Sequence, residues 1–425
     1  SAGKGQQEHY CQNLKNREMK HKDDRIIELT DGIKWIGILD YDIKTFDIVM
    51  TTEYGTTYNS YFINAGKKAL IEVAKEKFSE TYLNKLKKVT DPSEINYIIL
   101  DHTEPDHSGS LGIILDLAPS AIVVGSGNAI RYLEDILNKP FNSLVVKDGD
   151  TLDLGNRTLK FISAPNLHWP DSIYTYLVED KILFTCDSFG AHYCDYGMFS
   201  DIESPDYRSA YKYYYDVILR PYSRFMIKAI DKIRDLDINL ICPGHGPVHA
   251  GNHRDVVKLS EDYAGEYLKL TESRSIKKIL IAFVSAYGYT SQAAGHISAG
   301  LHETGDFDVE IVDLETIQAD ELESMLITSD ALLVGSPTIN QNTLLPVYKL
   351  FALINPLRDK GKLAGVFGSY GWSGEATGII AAALRNLKLN VFEETAGFKF
   401  APGKDKKETL TEFGRKFARE FLKSC

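Results

Sequence analysis

With 425 residues, 44% hydrophobic and 25% charged, the chain has the make-up of a globular protein of two or three domains at about 150 residues each, not of a disordered or fibrous one. Its 48 basic and 59 acidic side chains give a net charge of −11, with no dense Lys/Arg cluster to grip a phosphate backbone, which argues against a nucleic acid partner. No apolar run approaches the ~20 residues that cross a bilayer and no signal-peptide core opens the sequence, so no membrane is expected and the reading is a soluble, cytoplasmic protein.

Residues 1–24 are polar and without apolar periodicity, which predicts a flexible extension, with Met19 as a candidate natural start. Strand-like runs follow at 25–29, 32–39 and 57–63, and a mixed, layered α/β pattern continues to about residue 270. The polar stretch Thr271-Glu272-Ser273-Arg274-Ser275 reads as a linker. Beyond it, strand-like runs at 278–284, 308–312, 331–335 and 363–367, and a weaker one from 389, alternate with helix-length segments. That alternation predicts a doubly wound parallel sheet of five strands over residues 276–425. The five cysteines, Cys11, Cys186, Cys194, Cys242 and Cys425, form no disulfide framework, and no CxxC pair supplies a zinc ribbon or a rubredoxin-type iron site. Cys186 and Cys242 read as buried small apolar residues.

The densest chemical signal is His102-Thr103-Glu104-Pro105-Asp106-His107, just after the β-forming run Tyr97-Ile98-Ile99-Leu100. Pro105 disfavours a helix interior, so the cluster is expected in a loop at a strand end. Three further apolar runs lead in the same way to His168, Asp187 and His245. A lone Asp or His after a strand is ordinarily a turn former or a cap. Seven hard or borderline ligands together are too many for one ion and suit two, and two ions about 3.5–4 Å apart need a bridging group, for which a carboxylate serves. His192 is read as a core or supporting residue, not a ligand, and His249 and His253 as surface residues.

These residues carry a resemblance. HxExDH, Leu167-His168-Trp169-Pro170-Asp171-Ser172, Asp187 and Pro243-Gly244-His245-Gly246 resemble the metallo-β-lactamase-like domain of flavodiiron proteins over most of residues 26–270. Dizinc hydrolases of this fold have HxHxDH, so Glu104 stands where a second imidazole is expected; the added carboxylate favours redox-active iron over zinc. The resemblance implies an αββα fold, with His102, Glu104 and His168 on one iron, Asp106, His107 and His245 on the other, and Asp187 between them. Family members vary at single histidine positions, which leaves His107 and His168 the least fixed. Thr45-Phe46-Asp47 corresponds to a region that contributes to the pocket in relatives.

In the second domain Ser285-Ala286-Tyr287-Gly288-Tyr289-Thr290 follows the first strand and opens a helix. Hydroxyls and N–H groups at a helix N-terminus can hold a phosphate without a basic residue. The loop is neither a P-loop nor a GxGxxG turn, and one phosphate loop suits a mononucleotide better than NAD. Ser336-Pro337-Thr338-Ile339-Asn340-Gln341-Asn342 and Gly368-Ser369-Tyr370-Gly371-Trp372-Ser373-Gly374 follow later strands, at the sheet end where such folds bind ligands. The three loops are similar to those of flavodoxin, which implies FMN.

The combined resemblance implies an oxidoreductase that reduces dioxygen to water, nitric oxide to nitrous oxide, or both, with FMN relaying electrons to a diiron centre. It also implies a head-to-tail homodimer, alone or paired as a dimer of dimers, because flavin and irons of one subunit are too far apart. With no CxxC domain or NAD fingerprint in the sequence, electrons are expected from a separate rubredoxin-like or similar carrier. Two other readings compete: a dinuclear zinc hydrolase with an accessory flavodoxin-like part, and a non-enzymatic flavin relay whose metal pocket is vestigial.

Overall fold

The structure, a computed structural model, describes residues 25–47, 50–270 and 275–424. The predicted extension at 1–24 and residues 271–274 of the predicted linker lie outside the described residues. The chain divides into two compact units, with the boundary at Leu268 and Lys269.

In the first unit a seven-stranded sheet runs in the order Ile27–Thr30, Ile33–Trp35, Tyr61–Ile63, Lys68–Ile71, Ile95–Ile99, Ile122–Gly125 and Asn142–Val145. A six-stranded sheet follows as Thr151–Asp153, Thr158–Ser163, Ile173–Leu177, Ile182–Cys186, Leu240–Pro243 and His249–Ala250. Trp35, Ile63, Ile71 and Ile99 from the first sheet meet Phe161, Leu177, Phe184 and Cys242 from the second in one buried cluster. Helices close the two outer faces. Tyr82 and Leu86 of Ser79–Val89 and Leu133 of Gly127–Leu137 cover the first sheet; Tyr207 and Tyr211 of Pro205–Tyr214 and Met226 and Ile230 of Ser223–Ile233 cover the second. Burying apolar faces on both sides of both sheets produces the expected αββα layering.

Two predicted strands are each cut in two. The run 32–39 forms Ile33–Trp35 and Ile38–Asp40, while 57–63 forms Thr56–Tyr58 and Tyr61–Ile63, and each half pairs with the matching half of the other run. The cause is a close crossing of backbones: a Cβ at Gly37 would lie 2.5 Å from the Tyr58 carbonyl oxygen. Asn59, in the second break, accepts from Trp35 Nε1 at 2.9 Å and donates to the carbonyls of Pro243 at 2.7 Å and Gly246 at 2.8 Å. The break therefore ties the first sheet to the loop that carries His245.

The second unit has five parallel strands in the order Phe307–Asp313, Lys277–Phe283, Ala331–Gly335, Leu363–Tyr370 and Asn390–Lys399. That is the 2-1-3-4-5 order of flavodoxin-like sheets. Helices Tyr289–His302 and Lys404–Ser424 pack on one face, and Ala319–Thr328, Leu345–Leu353 and Glu375–Asn386 on the other. No helix among the described residues is long and apolar enough to cross a membrane.

Candidate metal centre and flavin loops

The 102–107 cluster is not wholly a loop. Pro105–Ser108 forms one helical turn with Pro105 in its first position, where a missing N–H leaves nothing unsatisfied. That turn aims Asp106 and His107 inward. The strands Thr158–Ser163, Ile182–Cys186 and Leu240–Pro243 lead into the loops of His168, Asp187 and His245, and all seven predicted side chains meet in one pocket.

They fall into two groups, His102, Glu104, His168 and Asp187 in one and Asp106, His107 and His245 in the other. In the first, Glu104 Oε2 lies 3.2 Å from His102 Nε2 and 3.0 Å from His168 Nε2. In the second, Asp106 Oδ2 lies 3.5 Å from His107 Nε2 and 3.0 Å from His245 Nε2. Asp187 faces both. Its Oδ2 is 3.6 Å from His102 Nε2 and 3.4 Å from His168 Nε2, while Oδ1 is 3.2 Å from His107 Nε2 and 3.6 Å from His245 Nε2. Only Glu104, 16% exposed, and His168, 21% exposed, reach solvent appreciably, so the first group forms the open side.

Two of the imidazoles are oriented from behind. His102 Nδ1 lies 3.1 Å from Asp171 Oδ1, and that carboxylate also takes Thr103 N and Oγ1 at 2.8 and 2.7 Å; His245 Nδ1 lies 2.6 Å from the Thr57 carbonyl. A hydrogen on each Nδ1 leaves the Nε2 lone pair facing carboxylate oxygens. Such an arrangement of acceptors is stable only with a proton or a cation between them. Consistent with that need, both oxygens of Asp106 and Oδ2 of Asp187 are buried with no hydrogen-bond partner among the described residues. The donor set, four imidazoles and three carboxylates, fits a pair of borderline, oxygen-tolerant ions such as iron.

Without ions the titration follows the same logic. Burial alone would raise the Glu104 carboxyl, but His102 and His168 outweigh it and hold it at about 2. Burial alone would lower His168, but Asp187 and Glu104 push it up to about 9. Burial and the neighbouring His107 act in the same opposed senses on Asp187, which ends well below the usual carboxylate range.

Beside this pocket stands Tyr214, which local sequence patterns did not single out. Tyr214 donates to Asp187 Oδ1 at 3.1 Å. The Nδ1 of His192 lies 2.8 Å from Thr56 Oγ1, and its ring centroid is 4.3 Å from that of Phe46, tilted, and 5.2 Å from that of His245, edge-on. Burial holds that imidazole down to about 3, so it is a neutral wall residue. His249, expected at the surface, is fully buried. It pairs against the strand Leu240–Pro243, with ring nitrogens 2.7 Å from the Phe189 carbonyl and 2.7 Å from Ser200 Oγ. Burial keeps the ring neutral, so Nε2–H donates to the Phe189 carbonyl and Nδ1 accepts from the Ser200 hydroxyl, and both ring nitrogens are satisfied. His253 opens a helix and is partly exposed. Cys186 and Cys242 are buried free thiols.

In the second unit the three predicted loops lie at the C-terminal strand ends and are bonded together. Thr290 Oγ1 is 3.0 Å from Ser369 Oγ, Thr338 N donates to the Ser369 carbonyl at 2.8 Å, and Ala376 N donates to Thr338 Oγ1 at 3.2 Å. Gly288, at φ +79°, turns the first loop into the helix Tyr289–His302. Tyr287 and Trp372 are 80% and 88% exposed. A helix N-terminus, hydroxyl groups and unstacked aromatic rings fit a phosphorylated flat heterocycle. Ser336 is fully buried and its hydroxyl bonds within its own loop, to the Pro337 carbonyl and from Leu344 N.

A β-lactamase-type dinuclear pocket in series with a flavodoxin-type sheet defines a class of two-module redox proteins. Residues 56–246 match the ODP family beta lactamase and residues 281–414 match flavodoxin. The flavo-diiron protein FprA2 of Clostridium acetobutylicum is 38% identical over 92% of this chain and 99% of its own length. A nitric oxide reductase of Moorella thermoacetica is 34% identical over 92% of this chain and 98% of its own. Among solved structures, the rubredoxin oxygen:oxidoreductase of Desulfovibrio gigas superposes with a TM-score of 0.67 at 28% identity, covering 94% of this chain and 99% of that one. The chain belongs to the flavodiiron family, whose cofactors are FMN and a diiron centre. It is an oxidoreductase, and the zinc hydrolase reading falls.

Proposed function

We propose that this protein reduces dioxygen to water, nitric oxide to nitrous oxide, or both, in the cytoplasm, with residues 25–270 holding two irons and residues 276–425 holding FMN. The observation that carries the reading is Asp187, whose two oxygens face different pairs of imidazoles 3.2–3.6 Å away. His102, Glu104 and His168 would hold one ion, Asp106, His107 and His245 the other, and Asp187 would serve both. The bound cofactors supply electrons: two ferrous ions and one reduced flavin together offer four, enough for one dioxygen, and two suffice to join two nitric oxide molecules.

The protein's own groups do the rest. Asp171 and the Thr57 carbonyl fix the His102 and His245 rings so that Nε2 points inward. Phe46, His192 and Tyr214 wall the pocket beside the second group and keep bulk water from it. Loops 285–290, 336–340 and 369–374 hold the flavin, its phosphate at the N-terminus of helix Tyr289–His302. Electrons enter from a separate carrier; one relative's name pairs it with rubredoxin, and a rubredoxin-like donor is the reading for this chain too. The working unit is a head-to-tail homodimer, alone or doubled.

The test is an anaerobically reduced sample given a pulse of oxygen or nitric oxide, with consumption read by electrode alongside metal analysis. Two irons per chain and one dioxygen consumed per chain without peroxide are expected; zinc in their place with no gas uptake overturns the reading. Asp187→Ala should lose or scramble both ions while keeping its yellow flavin.

A further inference from the structure

Among the described residues, His107 is the buried ligand candidate whose rear nitrogen has no hydrogen bond. Its Nδ1 is unpartnered among the described residues, and so, 3.9 Å away, is Glu72 Oε2. Both residues are essentially inaccessible, at 1% and 2% exposure. Glu72 is also held at φ +56°, a left-handed backbone that is strained for a non-glycine residue. The surroundings keep it there. Its N–H donates to the Ile99 carbonyl, its own carbonyl takes Ser60 Oγ, and its Oε1 takes Asp101 N at 2.7 Å. Val73 N, next in the chain, donates to the His107 carbonyl at 3.0 Å. The same edge of the His107 ring abuts Gly244, where a Cβ would lie 2.6 Å from Cε1 and 3.1 Å from Nδ1. Only a glycine there leaves this edge of the ring room beside a carboxylate with one free oxygen.

Resting on the dinuclear reading above, we propose that Glu72 is a positioning residue of the second metal site: with an ion on Nε2, the Nδ1–H of His107 would close the 3.9 Å gap to Oε2, and that hydrogen bond would hold Nε2 toward Asp106 and Asp187. Asp171 already has this relation to His102. A carboxylate behind a ligating imidazole fixes the ring and raises its basicity, and removal of such a partner typically weakens metal binding about 10–100-fold. A left-handed glutamate is a strained feature that a site, not a core, would retain. Oε1 is committed to Asp101 N, so the side chain needs both oxygens. Glutamine, with one, can serve only one of its two donors.

The experiment uses full-length, FMN-loaded protein stripped of metal by a chelator and titrated anaerobically with cobalt(II), following the visible ligand-field bands. Wild type should bind two equivalents. Glu72→Leu should bind the first as wild type does and the second about 10–100-fold more weakly, with altered bands, and Glu72→Gln should fall between them. Retained FMN and an unchanged first equivalent show that the variants fold. A second equivalent in Glu72→Leu within about threefold of wild type, with the same bands, overturns the proposal. Cys186 lies with Glu72 and His107 in a third close group, so a third equivalent in wild type that Cys186→Ala removes would also overturn it, by making Glu72 a ligand. Fewer than two equivalents in wild type would instead sink the dinuclear reading itself.

Discussion

Carboxylates and imidazoles set 3.0–3.6 Å apart in a buried pocket must share protons whenever ions are absent, and this makes the stripped protein's stability a function of pH. Glu104 is drawn from 4.5 down to about 2, so its contribution is complete above about 4.5 and lost as pH falls toward 2. His168 is drawn from 6.5 up to about 9, so its contribution is complete below about 6.5 and lost as pH rises through 9. Buried His192 and His249, held neutral down to about 3 and 4, work against folding as pH falls below 6.5. Metal-stripped protein should therefore have its highest Tm near pH 6.5 and lose several degrees by pH 9.5. With two ions bound, a cation replaces the shared protons and the alkaline decline should shrink. A stripped protein whose melting point is flat from pH 6 to 9.5 would refute the proton-sharing picture. The seven side chains involved were legible because each follows a strand and five of the six residues in 102–107 are polar or charged. The groups that orient them were not: Asp171 is 69 positions from His102 and Tyr214 is 27 from Asp187. Only the fold supplies those pairings. The burial of His249 was hidden for the same reason, since its hydrogen-bond partners Phe189 and Ser200 are 60 and 49 positions away.

At the level of elements, the flavin loops depend on how tightly two helices pack. A Cβ at Gly300 would lie 1.9 Å from the Thr411 carbonyl oxygen, and one at Gly414 would lie 2.2 Å from that of Ile297. The helices Tyr289–His302 and Lys404–Ser424 thus meet backbone to backbone. Gly300→Ala must push them apart, at a cost of about 1–3 kcal/mol, and should speed FMN loss because the displaced helix carries the proposed phosphate end. Gly295 offers the control: it lies in the same helix with nothing within 4 Å of a Cβ, so Gly295→Ala should be neutral or stabilise by up to about 1 kcal/mol. Thermal melts and the rate of flavin release into the filtrate distinguish the two; equal behaviour would contradict the close crossing. The five strands of this sheet were legible from their apolar runs, but the last was underread. Asn390–Lys399 spans 10 residues, yet as an edge strand it buries only Phe398 fully, and hydropathy records burial, not pairing. In the first unit, the broken strands at Gly37 and Asn59 escaped notice because strand propensity continues across both breaks. Only the tertiary crossing interrupts them.

For the whole molecule, the proposal that electrons pass between subunits can be separated from one in which each chain serves itself. Two defective chains are needed. Asp187→Ala removes the carboxylate that faces both ligand groups, so it should keep FMN and lose its irons. Ser285→Glu places a negative charge in the loop that leads into helix Tyr289–His302, so it should repel a phosphate and lose FMN while keeping its irons. Each alone should be inactive with a reduced carrier protein. If the two are dissociated, mixed and reassociated at equal amounts, about half of the twofold dimers contain one chain of each kind. In a head-to-tail arrangement, one of the two flavin-to-iron junctions in such a dimer is complete, because the flavin of one chain serves the irons of the other. The mixture should then recover about a quarter of the wild-type gas consumption. If each chain used its own flavin, every junction in the mixture would lack one partner and activity would stay at the level of the single variants. Recovery also has to vanish at protein concentrations low enough to dissociate the dimer, since a shared site exists only while the subunits are joined. Rates that hold constant through that dilution would place the whole electron path within one subunit.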